Sequence, residues 1–135
     1  MLKKGFTLLE VMIVVIIIGV LAALALPNYI TALEKGRSGE AATNVGAIRT
    51  AIDRYWYQNS TCPAITGLDI EDPNNQTNRL YNYYLADDGT DATTRKYTIT
   101  AARTAGGVGY WVKWTQTNNN TGKLTRSANL GGPTS

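Results

Sequence analysis

The 135-residue sequence contains no histidine and a single cysteine, Cys62. Without histidine there is no Ser-His or Cys-His catalytic pair and no imidazole metal ligand. One cysteine cannot close an intrachain disulfide, and no phosphate-binding loop of the Walker type is present. An enzyme is therefore the least supported class of function.

Charge is also scarce. The chain carries 13 Lys+Arg against 10 Asp+Glu, a formal net charge of +3. Two of the cations, Lys3 and Lys4, precede Gly5, so removing residues 1–5 lowers the cations from 13 to 11 against the same 10 acids. Because nucleic-acid binding needs a basic face or stripe, we predict no direct binding of nucleic acid.

The strongest feature that is present is an apolar run near the N-terminus. Residues 11–26 contain no polar side chain, and extension back to Phe6 adds only Thr7 and Glu10 as polar members. As a helix with a rise of about 1.5 Å per residue, this run spans about 30 Å, the thickness of a bilayer core. The two lysines that precede it predict a cytoplasmic N-terminus by the positive-inside rule.

Three interpretations of this run compete. A secretory signal peptide could be cut at Ala22-Ala23-Leu24-Ala25, and a plain membrane anchor needs only the apolar run. Neither explains Glu10, because a carboxylate inside an apolar helix costs about 2.5–3.5 kcal/mol on insertion scales and usually marks function. The third interpretation rests on the residues around Gly5.

Residues 3–10, Lys3-Lys4-Gly5-Phe6-Thr7-Leu8-Leu9-Glu10, resemble the prepilin cleavage and methylation motif of the type IV pilin family. The resemblance continues through the apolar run into Pro27-Asn28-Tyr29. It implies that residues 1–5 are a leader peptide and that a membrane-embedded prepilin peptidase cuts between Gly5 and Phe6. The same peptidase would then methylate the new amino group of Phe6.

The resemblance also assigns Phe6 and Glu10 to subunit assembly. In the family, the glutamate of an incoming subunit is thought to neutralise the terminal amine of its neighbour. A buried cation and a buried carboxylate are each unfavourable alone but can compensate one another, and head-to-tail contacts that do not close produce a helical fibre. The alternatives are that Glu10 pairs with its own N-terminus one turn away, or that it snorkels.

Gly19 and Pro27 divide the apolar segment 6–27. Proline removes a backbone donor and clashes with the preceding turn, and glycine lowers helix propensity by about 1 kcal/mol relative to alanine. By resemblance to the family, we expect the stretch between them to be partly unwound in the assembled fibre and helical in the membrane. The alternative is a continuous, gently kinked helix, which should hold in an isolated subunit.

Residues 28–58 keep a helical pattern with one apolar stripe. We expect this stripe to pack on a sheet, because a small head needs it for its own core; a partner helix is the alternative. Gly36 and Gly39 suggest a bend, and the Asn59–Pro63 segment ends the helix. The stripe consists of Ala41, Val45, Ile48, Ile52 and Tyr55.

Residues 59–135 are predicted to form a globular β-sheet head. The fold class is then α+β, with a long N-terminal helix packed on a small antiparallel sheet of three or four strands. Residues 59–80 are interpreted as a loop held to the core by Leu68, Ile70 and Leu80. The segments expected to form strands are Tyr81–Leu85, Lys96–Arg103, Gly109–Thr117 and Lys123–Ser127.

Two acidic clusters raise the possibility of bound calcium, the one cofactor considered. Oxygen ligands with a glycine turn suit that ion, as in the C-terminal region of pseudopilins. The spacing does not match a recognised calcium loop, and Asp-Asp-Gly is also ordinary turn chemistry, so no metal site is assigned. The acids are Asp69, Glu71 and Asp72 in one cluster and Asp87, Asp88 and Asp91 in the other.

These observations favour a structural subunit of a type IV pilus that supports adhesion, motility or DNA uptake. The precursor would lie in the inner membrane with the assembly machinery, and the product in a homopolymeric filament on the cell surface. One alternative is a pseudopilin of a type II secretion system. Another is a single-pass membrane-anchored protein that never polymerises.

Overall fold

The computed structural model describes residues 5–104 and 109–132. Lys3 and Lys4, on which the predicted orientation depends, lie outside the described residues. Three short 3-10 turns, Ile65–Gly67, Pro73–Asn75 and Ala128–Leu130, accompany one helix and four strands. The helix and strands are α1 (Leu8–Asn59), β1 (Tyr81–Asp87), β2 (Tyr97–Arg103), β3 (Trp111–Gln116) and β4 (Gly122–Arg126). The predicted α+β class is confirmed.

The chain divides into two compact units between Glu34 and Lys35. In the first unit every residue from 5 to 30 is exposed. This part of α1 is long and apolar enough to cross a membrane by length and composition, and none of its apolar window is buried. The first unit therefore has no core of its own.

The second unit has a core built on the predicted helix stripe. Ala41, Val45, Ile48 and Ile52 are each at most 1% exposed, and Tyr55 packs against the same cluster while partly buried. Because these residues recur every three or four positions, they occupy one face of α1. The prediction that this face packs on the sheet of the head is confirmed.

The sheet is an antiparallel meander with the strand order β1-β2-β3-β4. Ile99 lies opposite Leu85 on one side and Trp114 on the other, and Ala101 lies opposite Val112. Side chains alternate across a strand, so these residues share the face that carries the core. The predicted inward face of β2 is confirmed, since Tyr97, Ile99 and Ala101 are fully buried.

The element boundaries differ slightly from those predicted. The helix begins at Leu8 rather than Phe6 because Thr7 caps it, and it continues without a break through Gly36 and Gly39. β1 extends two residues beyond Leu85 because its pairing with β2 continues to Asp87↔Tyr97. β3 begins at Trp111 rather than Gly109, which lies at a positive φ of 95°.

The segment predicted as a loop, 59–80, contains two of the 3-10 turns. Leu68 is buried, and Ile70 and Leu80 pack against the core, so the three predicted anchors are confirmed. Ile65, which is 9% exposed, is a further anchor that the sequence did not reveal. Short turns of this kind leave almost no periodic signal, because each contributes a single buried side chain.

Candidate functional site

The amino-terminal site lies where the chain enters α1. Gly5, Phe6 and Thr7 precede the helix and are exposed. The Thr7 hydroxyl accepts a hydrogen bond from the Glu10 backbone N–H at 3.2 Å. This is an N-cap bond, in which the hydroxyl of a Ser or Thr accepts from a backbone N–H of the first turn. Glu10 therefore lies in the first turn of the helix, where the helix dipole favours a negative charge.

Phe6 and Glu10 lie on one surface of the first unit. Together with Val11 and Val14 they line a shallow concavity of about 220 Å³. The Phe6 ring is 82% exposed. The structure thus brings the two residues assigned to assembly onto one surface, whose lining is apolar.

Gly19 and Pro27 lie inside the continuous helix and apart from this surface. Proline has no amide hydrogen, so the turn before Pro27 lacks one backbone hydrogen bond. Side chains supply bonds nearby: the Asn28 amide donates to the Leu24 carbonyl at 3.4 Å, and the Thr31 hydroxyl donates to the Pro27 carbonyl at 3.1 Å. The continuous helix expected for an isolated subunit is what the structure has, and unwinding in the fibre stays a prediction.

A charged cluster in the second unit joins α1 to the loops of the head. Arg95, only 7% exposed, precedes β2 and donates from Nη1 to Asp53 Oδ1 at 2.6 Å. Its Nη2 donates to the Asn119 carbonyl, and the Tyr97 hydroxyl donates to the same Asp53 oxygen at 3.2 Å. Burial, and then the negative charge of Asp53, raise the pKa of Tyr97 above its usual range.

The same cluster connects the two hairpin loops to each other. The Asn119 side chain accepts from the Arg95 backbone N–H at 2.9 Å and donates to the Thr93 carbonyl at 2.7 Å. The Trp56 indole N–H, on α1, donates to the Asp91 carbonyl at 2.8 Å. These bonds hold the loops without a disulfide, which one cysteine cannot provide. Sequence reasoning missed Arg95, because an arginine just before a strand has no distinguishing pattern.

Four of the six acids considered for calcium serve as turn caps or ion-pair partners. Asp87 Oδ1 accepts from the backbone N–H groups of Gly89 and Thr90, and Asp72 accepts from Asn74. Asp91 accepts from Thr93 and Thr94, and these bonds hold its pKa below the usual range.

Asp69 forms a two-pronged ion pair with Arg54, at 3.0 and 2.7 Å, and this contact lowers the pKa of Asp69. Within residues 5–104 and 109–132, no three acidic or cysteine side chains form a group able to hold a metal ion. The hydrogen bonds of Asp72, Asp87 and Asp91 are those of ordinary turns, the other interpretation of these clusters.

Cys62 is half-buried in the loop that follows α1. Burial, and then the negative charges of Asp87 and Asp88, raise the pKa of its thiol from 9.0 to about 11. The nucleophilic form of cysteine is the thiolate, so the raised pKa lowers the fraction of this thiol in that form at neutral pH.

The chain matches one family model and several known proteins. Residues 1–26 match the family model described as the prokaryotic N-terminal methylation motif. The type IV major fimbrial protein FimA of Dichelobacter nodosus is 32% identical over 133 aligned residues, which cover 85% of this chain and 82% of FimA. No solved structure matches significantly.

Other relatives match over shorter stretches. The type II secretion system core protein G of Vibrio cholerae is 40% identical over 82 residues, or 58% of this chain and 56% of that protein. The type IV major pilin protein PilA of Myxococcus xanthus is 54% identical over 49 residues, 36% of this chain and 22% of that protein. The chain thus spans about half the length of the secretion proteins it matches, 48% in the case of Aeromonas hydrophila.

Proposed function

Because this chain belongs to the type IV pilin family, we propose that it is a structural subunit of a type IV pilus filament. The observation that carries the proposal is the exposure of every residue from 6 to 26. Burying a Val, Leu, Ile or Met side chain contributes about 1.5–3 kcal/mol relative to leaving it in water. Lipid covers this surface before assembly, and equivalent helices of neighbouring subunits cover it in the fibre.

Processing prepares the chain for assembly. Residues 1–5 are the leader, a prepilin peptidase cuts between Gly5 and Phe6, and the amine of Phe6 is methylated. The match of residues 1–26 to the methylation motif supports this step. The geometry also supports it, since Gly5 and Phe6 precede the helix and their backbone is open to an enzyme.

Glu10 then sets the register between subunits. Its carboxylate pairs with the amine of Phe6 on a neighbouring subunit when both enter the apolar core of the fibre. Removing one partner of a buried ion pair leaves an uncompensated charge, which is strongly destabilising. The position of Phe6 and Glu10 on one apolar-rimmed surface supports a contact of this kind.

The remaining segments have separate roles in this proposal. Residues 6–27 cross the inner membrane with the N-terminus in the cytoplasm, and later form the fibre core, where Gly19–Pro27 partly unwinds. Residues 28–58 pack on the head, and residues 59–135 form it. The fibre lies on the cell surface, supports adhesion, motility or DNA uptake, and performs no catalysis. The partners are other copies of the chain, the peptidase and the inner-membrane assembly machinery.

A pseudopilin of a type II secretion system is the second candidate, favoured by the similarity to core protein G. The extent of the alignments supports the pilus subunit. The alignment with FimA covers 85% of this chain and so includes most of the head, whereas that with the Vibrio cholerae protein covers 58%. Since a pilus subunit presents its head on a long fibre, similarity in the head favours the pilus.

The test replaces Glu10 with Gln in the full-length chain in cells. Glu10→Gln keeps the shape and removes the charge, so we expect normal membrane insertion and at least a tenfold loss of sheared surface fibres. Glu40→Gln is the matched control, because Glu40 is an exposed helical glutamate in the second unit. Fibres at the normal level in Glu10→Gln would contradict the assembly role of Glu10, whereas membrane insertion of the unsubstituted chain without any fibres would leave a membrane anchor that does not polymerise.

Mass spectrometry of the sheared fibres checks the processing step. We expect a chain that begins with methylated Phe6. An intact N-terminus, or a cut elsewhere, would contradict the proposal. Fibre abundance separates the two candidates: long, abundant fibres support the pilus, and short structures needed only for protein export support the pseudopilin.

A further inference from the structure

A groove crosses the face of the sheet opposite the core, over β3 and β4. Its volume is about 440 Å³. This lies within the range of about 300–1,000 Å³ that is usual for ligand sites. We call it the β3–β4 groove. The residues that line it include Trp111, Lys113, Thr115, Thr121, Lys123 and Thr125.

The strand register places two lysines diagonally across this groove. Lys113 lies opposite Thr125, and Thr115 lies opposite Lys123. Diagonal neighbours on one face of an antiparallel pair are about 7–8 Å apart. Among the described residues that line the groove none is acidic and two are lysines, so this lining carries positive charge.

One of the two ammonium groups is held in place by an aromatic ring. Lys113 Nζ lies 5.2 Å from the centre of the Trp111 ring, within the range of a cation–π contact. The Trp111 main chain is paired with Ser127, whose backbone N–H donates to the Trp111 carbonyl at 3.0 Å. The end of the groove is therefore an aromatic wall with an ordered cation beside it.

Threonine hydroxyls line the rest of the groove. Thr125 donates to the Lys113 carbonyl at 3.4 Å, which leaves its oxygen able to accept. Thr115 and Thr121 are not bonded through their hydroxyls to any described residue. A hydroxyl both donates and accepts, so this lining suits a ligand rich in hydroxyl groups.

We propose that the β3–β4 groove binds an acidic glycan, such as an oligosaccharide of uronic acids. Lys113 and Lys123 pair with its carboxylates, the threonines exchange hydrogen bonds with its ring hydroxyls, and Trp111 packs against the apolar C–H face of a sugar. A charge-assisted hydrogen bond is about twice as strong as a neutral one, so the lysines provide most of the selection for acidic sugars.

The groove is less suited to nucleic acid. Affinity for nucleic acid grows with the number of phosphates that lysine and arginine neutralise. This groove has two cations and no arginine. Its several hydroxyls and single indole correspond better to a short acidic sugar chain than to a phosphate backbone.

The test titrates the full chain, purified in detergent micelles, with trigalacturonate. Binding is measured by calorimetry in parallel with fully methyl-esterified trigalacturonate, which has the same sugars without the charge. We expect saturable binding of the acid and at least tenfold weaker binding of the ester. Lys113→Gln/Lys123→Gln should weaken binding of the acid at least tenfold, whereas Lys96→Gln, a lysine outside the groove, should change it less than twofold.

Equal binding of acid and ester, or unchanged binding by the double variant, would overturn the proposal. So would equally tight binding of a short DNA duplex with the same dependence on both lysines, since the groove would then be a general anion site. The measurement needs no assembled fibre. Its outcome is therefore independent of the function proposed above.

Discussion

The two units of this chain place the same kind of side chain in opposite environments. Ile16, Ile17 and Ile18 in the first unit are 53–62% exposed, whereas Ile52 and Ile99 in the second unit are fully buried. The second unit buries its apolar side chains in its own core. The first unit leaves its apolar side chains exposed, so that lipid or other subunits cover them. Stability of the head and assembly of the fibre should therefore respond to different substitutions.

Truncation of one isoleucine in each unit distinguishes the two units directly. Ile52→Ala should lower the free energy of unfolding of the head by about 2–5 kcal/mol, because a buried isoleucine leaves a cavity. Ile16→Ala should leave it unchanged, because that side chain has no core to leave. Urea unfolding followed by tryptophan fluorescence reports the head alone, since Trp56, Trp111 and Trp114 all lie in the second unit. Equal losses in both variants would contradict the comparison.

The next test concerns charge within the second unit. Asp53→Asn removes the charge that Arg95 and Tyr97 share, and should cost about 2–3 kcal/mol because Arg95 is then left buried without its counter-charge. Asp69→Asn is the control, because Asp69 pairs with Arg54 in full solvent and screening leaves such pairs almost no effect. If the two variants unfold at the same urea concentration, the buried cluster does not hold the head together.

A smaller effect is expected from two glycines of the second unit. A Cβ at Gly122 would collide with the Trp114 ring and lie 2.6 Å from Gln116 Oε1, so Gly122→Ala should destabilise the head by about 1–3 kcal/mol. At Gly46, on the helix, a Cβ meets nothing within 4 Å. Gly46→Ala should stabilise the head by up to about 1 kcal/mol through helix propensity. Thermal unfolding midpoints should move in opposite directions, and a shift of the same sign in both would contradict this account.

The smallest expected effect is that of pH on Cys62. Its folded pKa of about 11 exceeds the ordinary value of 9.0, so the folded head binds this proton more tightly than the unfolded chain. The contribution to stability is fully present below pH 9 and is lost as the pH rises towards 11. The difference in urea midpoint between the natural chain and Cys62→Ser should therefore change between pH 9 and pH 11. A constant difference would show that burial does not raise the pKa of the thiol.

Local patterns in the sequence predicted the parts of the fold that have a period. The stripe from Ala41 to Tyr55 follows the helical repeat, and the alternation in Tyr97, Ile99 and Ala101 follows that of a strand. In both cases the buried face is visible from residues a few positions apart. The capping bond that the Thr7 hydroxyl accepts has the same local character, since its donor, the Glu10 backbone N–H, lies three residues away.

Contacts between distant residues could not be predicted in this way. Arg95 and Asp53 are 42 residues apart, and Arg95 and Asn119 are 24 apart. The β3–β4 groove is an intermediate case. The sequence placed Trp111, Lys113 and Thr115 on one face, but only the register across the hairpin brought Lys123 and Thr125 beside them.

By itself, the sequence determined which segment lacks a core and which has one, because an uninterrupted apolar run and a periodic stripe are properties of neighbouring residues. The tertiary structure alone decided which charges meet, how the loops are held without a disulfide, and where the groove lies. The physical reason is that side-chain pairing depends on strand register and loop closure, which long-range packing establishes and no short window of residues encodes.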